Sequence, residues 1–150
     1  MSPGRLLREL GQAQNELPEG VIALEVVDDA DLYHWTAQIE GPPSSPFENT
    51  IFDLTITVPD QYPIKPPTFN FKNRISHPNI DFKTGDICLD VLSDKWSPAW
   101  TLASALVAIR QLLGSPEPDS PLNVDSANLW RSGDTSAINA LTRYYIEKYN

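Results

Sequence analysis

Residues 59–67 read PDQYPIKPP, and four prolines in nine residues leave that segment little freedom. Proline lacks an amide donor and fixes φ, so such a run makes neither a helix interior nor a central strand. It must be a rigid, extended connection, and strands have to end before it and begin after it. A proline-rich ligand for a recognition domain is the alternative reading. The segment is short and tied to strands at both ends, which favours the connection.

Upstream, residues 21–27 (VIALEVV) form a β-rich run, and Asp28-Asp29-Ala30-Asp31 makes a turn. Residues 32–40 alternate, with Tyr33, Trp35, Ala37 and Ile39 on one face and His34, Thr36 and Gln38 on the other. His34 is then an exposed strand residue. Residues 50–58 alternate again, with Phe52, Leu54, Ile56 and Val58 inward. A fourth short strand after the prolines holds Phe69 and Phe71. The links between strands are too short for parallel crossovers, so the sheet is an antiparallel meander. Before it, residues 3–16 have helical spacing at Leu6, Leu7 and Leu10, with Arg5 and Arg8 on the outer side.

Residues 101–113 form the clearest helix, with Leu102, Leu106, Ile109 and Leu113 in one stripe, Thr101 as cap and Gly114 as stop. A short helix over 123–131, stopped by Gly133, and a final helix capped by Asp134 follow. In the last, Ile138, Leu141, Tyr145 and Tyr149 fall on a stripe.

Between sheet and helices, residues 73–100 lack any sustained period yet are rich in apolar residues. A loop of that length that is packed down is where function concentrates. It holds the only cysteine, Cys88. A lone cysteine is most often a small buried hydrophobe, but Cys88 lies between Asp86 and Asp90, just after Gly85. If Cys88 is reactive, it is either the nucleophile of a hydrolase with His77 as base or the carrier of an acyl group that arrives activated. Nearby negative charge disfavours a thiolate, so Asp86, Asp90 and Asp94 favour the carrier.

The 150 residues carry a net charge of −9. That balance speaks against nucleic acid or an anionic membrane as a partner, because either calls for a basic patch. One cysteine and two histidines are too few for a zinc site, and a single cysteine forms no internal disulfide, which suits a reducing compartment such as the cytosol. The opening MSPGRLLREL turns polar too soon for a signal peptide, and no apolar run is long enough to cross a bilayer.

Three motifs occur in order: His77-Pro78-Asn79, then Gly85-Asp86-Ile87-Cys88-Leu89-Asp90, then Trp96-Ser97-Pro98-Ala99. With Tyr62-Pro63, Lys65-Pro66-Pro67 and Ser120-Pro121-Leu122, they make the chain resemble the ubiquitin-conjugating (E2) enzymes over almost its whole length. The resemblance implies an α+β fold of the UBC type in a single core domain over residues 1–150. That fold has an N-terminal helix, a four-stranded antiparallel meander, an active-site loop and three C-terminal helices. Within the family, the extra residue between Asn79 and Cys88, the second tryptophan of WSPAW and the run SPLNVDSANLWRSGDTSA are most similar to the fungal peroxisomal branch, a peroxin.

The family likeness carries further expectations. Cys88 takes ubiquitin from the E1 enzyme as a thioester, and E1 uses the ATP, so no cofactor is needed. Asn79 stabilises an oxyanion or holds the active-site loop, His77 and Pro78 shape that loop, and Asp90 helps the incoming nucleophile. Leu122 lines the cysteine groove. A RING-type E3 surface falls on Arg5, Ile64, Ser97, Pro98 and Ala99, and donor ubiquitin folds back near Ser104, Val107 and Gln111. The branch implies work at the cytosolic face of the peroxisomal membrane, recruitment by a membrane-anchored peroxin, and the peroxisomal import receptor as substrate. No motif marks the anchor site. Trp130, Tyr144 and Tyr149 of the C-terminal helices are candidates, although ordinary packing suits Trp130 better. Two departures from the family pattern, Ser76 and Ser120, are expected near the acceptor side of the groove, where loss of a carboxylate favours a cysteine acceptor over lysine. The extra residue in IDFKTGD is expected to change the groove's edge.

Overall fold

The computed structural model describes residues 3–150; Met1 and Ser2, which open the segment read as too polar for a signal peptide, lie outside the described residues. Helix α1 (Pro3–Asn15) leads into strands β1 (Val21–Asp28), β2 (Asp31–Glu40), β3 (Ile51–Thr57) and β4 (Thr68–Phe71), followed by α2 (Leu102–Gly114), α3 (Val124–Arg131) and α4 (Thr135–Tyr149). The strands pair antiparallel in chain order, as short links require.

Register follows the alternation of the sequence. Trp35 faces Ile56, Ala37 faces Leu54 and Ile39 faces Phe52 across β2 and β3. Leu54 faces Phe71 and Ile56 faces Phe69 across β3 and β4. All eight are buried and form one face of the sheet. A one-residue slip would turn that face to water, so the apolar set itself holds the register. Leu6 of α1 and Leu102, Ala105, Leu106, Ile109 and Leu113 of α2 join the same core. The α2 stripe is thus the predicted one, widened by Ala105 and Leu112.

The caps also follow the sequence. Thr101 and Ser104 form a capping box on α2. Asn123 accepts the amide of Ser126 at the start of α3, and Asp134 accepts that of Ala137 at the start of α4. His34 is exposed and pairs with Asp31 at 2.7 Å.

Two helix faces differ from the expected ones. In α1, Leu7 is exposed, and Glu9 is buried to 5% exposure in its place. Burying a carboxylate needs partners, and Glu9 has three. Its Oε2 accepts from Arg5 Nε at 2.8 Å and from the Tyr62 hydroxyl at 2.7 Å, while Oε1 accepts the Leu102 amide at 2.8 Å. Arg5 therefore turns inward, contrary to its expected outward face. In α4 the buried face is Ile138, Thr142 and Ile146. Leu141 and Tyr149 are exposed, and Tyr145 and Tyr149 instead pack at 5.3 Å on Phe82, in the loop before Cys88.

Candidate active site

The loop after β4 is irregular but tightly held. At its turn, Asp81 Oδ1 accepts the amides of Lys83 and Thr84, and the Asp81 amide donates to Asp86 O at 2.9 Å. The chain then passes directly over β4. The Phe71 amide donates to Gly85 O at 2.9 Å, and a Cβ on Gly85 would lie 2.0 Å from Phe71 O. Gly85 also has φ +77°, so glycine is required there on both grounds. Ile80 then bridges to Ile87, and the Cys88 amide donates to Asn79 O at 2.9 Å. Cys88 is thereby presented, exposed, on a backbone tied down at Ile87 and at its own amide.

Asn79 is the centre of this clamp. It is fully buried, and its Nδ2 donates to Glu117 O at 2.8 Å and to Ser120 O at 3.1 Å, while Oδ1 accepts the Glu117 amide at 2.7 Å. Every hydrogen on the side-chain amide is in use. In this geometry Asn79 holds the 117–120 loop, and donation to an oxyanion would require one of those bonds to open. Pro78 adds to the same closure, since its carbonyl accepts the amides of Leu122 and Asn123 at 2.8 and 3.1 Å.

His77 does not act on Cys88. Its Nε2 donates to Leu112 O at 2.8 Å, and its Nδ1 accepts the Asn79 amide at 3.0 Å. One neutral tautomer satisfies both bonds, and burial pushes its pKa down to about 4. A hydrolase base needs a nitrogen free to take the thiol proton, and neither is free. The hydrolase reading therefore falls, and a thiol that receives an activated acyl group stands.

Cys88 opens into a groove of about 890 Å³ whose lining includes Asn79, Asp90, Asp94, Trp100, Gln111, Glu117, Ser120 and Leu122. Asp90 begins a short 3₁₀ turn over Asp90–Leu92 and lies 3.8 Å from Lys95 Nζ. Ser120 is on the groove as expected, but Ser76 is not. It is 5% exposed and lines a neighbouring cleft with Phe82, Lys83 and Asp125. Asp81 lines that cleft too, so the loop carrying the extra residue shapes the cleft and not the cysteine groove.

The remaining predicted residues separate into two surfaces. Ile64, Pro98 and Ala99 are exposed and Ser97 is half-buried, and the Trp96 indole N–H donates to Pro63 O at 2.8 Å, tying the two loops that carry them. Arg5 lies behind this surface. Its Nη2 donates to Trp100 O at 2.7 Å and its side chain is 18% exposed, so it supports the surface from within. On α2, Ser104, Val107 and Gln111 line a shallow open face with Ala103 and Ala108. The hydroxyl of Ser104 is occupied by the capping box. Trp130 packs against His77, with ring centroids 6.3 Å apart.

Sequence reasoning misses Glu9, Glu117 and Trp100. Glu117 meets Asn79 through its backbone alone, which no side-chain pattern reports. Glu9 is detectable, because it recurs three residues after Leu6 on the buried stripe of α1.

A family model described as ubiquitin-conjugating enzyme matches residues 5–145. The chain belongs to the ubiquitin-conjugating enzyme family, transferases that act through a cysteine thioester. Among its relatives, "Protein PEROXIN-4" of Arabidopsis thaliana is 46% identical over 144 residues, covering 96% of this chain and 92% of that protein. "Ubiquitin-conjugating enzyme E2 pex4" of Dictyostelium discoideum is 49% identical over 145 residues, covering 97% of each. A crystal structure of H. polymorpha ubiquitin conjugating enzyme Pex4p in complex with the soluble domain of Pex22p superposes with TM-score 0.94 at 43% identity, covering 99% of this chain and 97% of that one.

Proposed function

We propose that Cys88 accepts ubiquitin from E1 and passes it to the peroxisomal import receptor. In the first step the Cys88 sulfur attacks the E1 thioester at ubiquitin's C-terminal carbonyl, a new C–S bond forms, and the E1 thiol leaves. In the second, an acceptor thiol or amine attacks the Cys88 thioester and Cys88 leaves as a thiol. No bond is oxidised or reduced, and ATP is consumed upstream by E1, so this chain uses no cofactor. The observation that carries the reading is the exposed lone thiol of Cys88 in an open groove, with no histidine available to hydrolyse what it holds.

The site roles follow. Asn79, His77 and Pro78 hold the loops that form the groove beside Cys88, and Asp90 faces the incoming nucleophile. Ile64 with Ser97, Pro98 and Ala99 receives a RING-type E3, with Arg5 as its inner support. Val107 and Gln111 of α2 receive donor ubiquitin. The peroxisomal role is supported by the peroxin-4 names of two relatives and by the solved relative's complex with Pex22p. Among the described residues no helix is long and apolar enough to cross a membrane. By analogy with the solved relative's complex, a membrane-anchored peroxin recruits the enzyme to the cytosolic face.

Incubation with E1, ubiquitin and ATP should give an adduct cleaved by thiols, and Cys88→Ser should give a thiol-resistant oxyester. Absence of any E1-dependent adduct would refute the reading. Discharge of the purified thioester should be faster onto free cysteine than onto free lysine, because Ser120 brings no carboxylate to the groove to help an amine lose its proton. Equal rates would reject the cysteine preference while leaving the transferase intact.

A further inference from the structure

We propose that the cleft beside the active-site groove binds the acceptor segment next to the residue being modified, and that it selects apolar and basic side chains. This rests on the reading of Cys88 as the ubiquitin carrier. The cleft, about 420 Å³, lies between α3, α4 and the Asp81–Phe82–Lys83 turn. Leu122 lines both it and the cysteine groove, so the two adjoin at that residue. Donor ubiquitin takes the α2 side of the groove, and the Leu122 end is left for whatever approaches the thioester.

Three observations define the occupant. The first is apolar surface left bare at one place: Leu122, Val124 and Leu141 are all exposed, and the Phe82 ring stands edge-on to Tyr145 at 5.3 Å. Apolar surface exposed together on a folded chain marks a place where something binds. The second is charge. The lining of cleft and groove includes the carboxylates of Asp81, Asp90, Asp94, Glu117 and Asp125 against the single amine of Lys83. A basic segment is attracted to that field and an acidic one is repelled. The third is the Ser126 hydroxyl in the cleft wall, which is buried without a hydrogen-bond partner. Buried hydroxyls are normally paired, and because this one is closed to solvent, pairing it with a bound peptide requires the cleft wall to shift as the peptide enters.

The test is single-turnover discharge of the purified ubiquitin thioester onto synthetic cysteine peptides. One carries leucine and arginine on both flanks, one leucine and aspartate, and one alanine only. Free cysteine serves as reference. The leucine–arginine peptide should discharge about five-fold faster than the leucine–aspartate peptide, relative to free cysteine. Leu141→Ser should remove the advantage of the leucine–arginine peptide over the alanine peptide, and Asp125→Lys, an exposed surface change that leaves four lining carboxylates against two amines, should shrink the arginine-over-aspartate ratio towards one. Equal rates for all peptides, or a preference that survives both variants, would overturn the proposal. So would variants that keep the peptide preference but lose the soluble domain of Pex22p in a pull-down, since the cleft would then serve the anchor. If no thioester forms at all, the carrier reading fails first; if it forms without peptide preference, only the cleft does.

Discussion

His77 shows how one buried side chain links the fold to solution conditions. Its imidazole is neutral and holds both the α2 carbonyl of Leu112 and the amide of Asn79. Burial depresses its pKa to about 4, against an ordinary value of about 6.5. Between those values the unfolded chain binds a proton that the folded chain refuses, so stability is complete above pH 6.5 and falls as pH falls towards 4. The loss should approach about 3 kcal/mol at the acid end, by the usual ~1.4 kcal/mol per pKa unit. Urea titrations across that range should show it. A His77→Gln variant, whose side-chain amide can still donate to Leu112 O, should have a flatter profile, and an unchanged slope would place the titrating group elsewhere. The same residue explains a chemical outcome. A histidine fixed in this way is not free to direct water at the acyl group that Cys88 is proposed to carry.

Among the elements, α1, the proline connection and the start of α2 meet at Glu9. The Glu9 carboxylate caps α2 at the Leu102 amide, where the helix dipole favours negative charge. Tyr62 is drawn into the same bond set, and burial followed by the Glu9 hydrogen bond raises its hydroxyl pKa. Replacing Glu9 by alanine strands the Tyr62 hydroxyl and the Leu102 amide and leaves the Arg5 guanidinium only its bond to Trp100 O. Such a break should cost about 3 kcal/mol or more in a urea titration. A loss under about 1 kcal/mol would mean that water replaces the carboxylate. The sheet, by contrast, is legible in the amino-acid sequence alone. Strict alternation at Trp35–Ala37–Ile39 and Phe52–Leu54–Ile56 admits one register, and the proline run fixes where β3 ends. The Cys88 loop is legible only as a place, and its residue roles come from the family likeness. Its order comes from backbone bonds such as Cys88 to Asn79 and Leu122 to Pro78, which carry no periodic trace. The faces of α1 and α4 depart from their apolar spacing for a related reason. Glu9 is polar and yet inward, and Tyr145 and Tyr149 are aromatic but packed on Phe82 and not on the sheet.

At the scale of the whole molecule, a net charge of −9 must coexist with the proposed work beside a membrane. An acidic surface is repelled by anionic lipid over roughly a Debye length, about 8 Å at physiological salt. The protein alone should therefore remain in the supernatant when sedimented with phosphatidylserine vesicles. It should pellet only when a recruiting peroxin is tethered to them. Sedimentation without that peroxin would indicate a lipid-binding face of its own. In the proposed role, a protein tether would also confine transfer to membranes that carry it, which suits an enzyme whose groove is open and whose thiol is unguarded.

Because Cys88 is the chain's only cysteine and stands exposed, each molecule offers a colourimetric thiol reagent one equivalent and no background. Titrating unblocked thiols during a charging reaction therefore counts loaded enzyme directly, without gels, antibodies or tagged ubiquitin, provided the other components are removed or blocked beforehand. The same handle takes a single fluorophore or spin label at the reactive position without any prior cysteine removal.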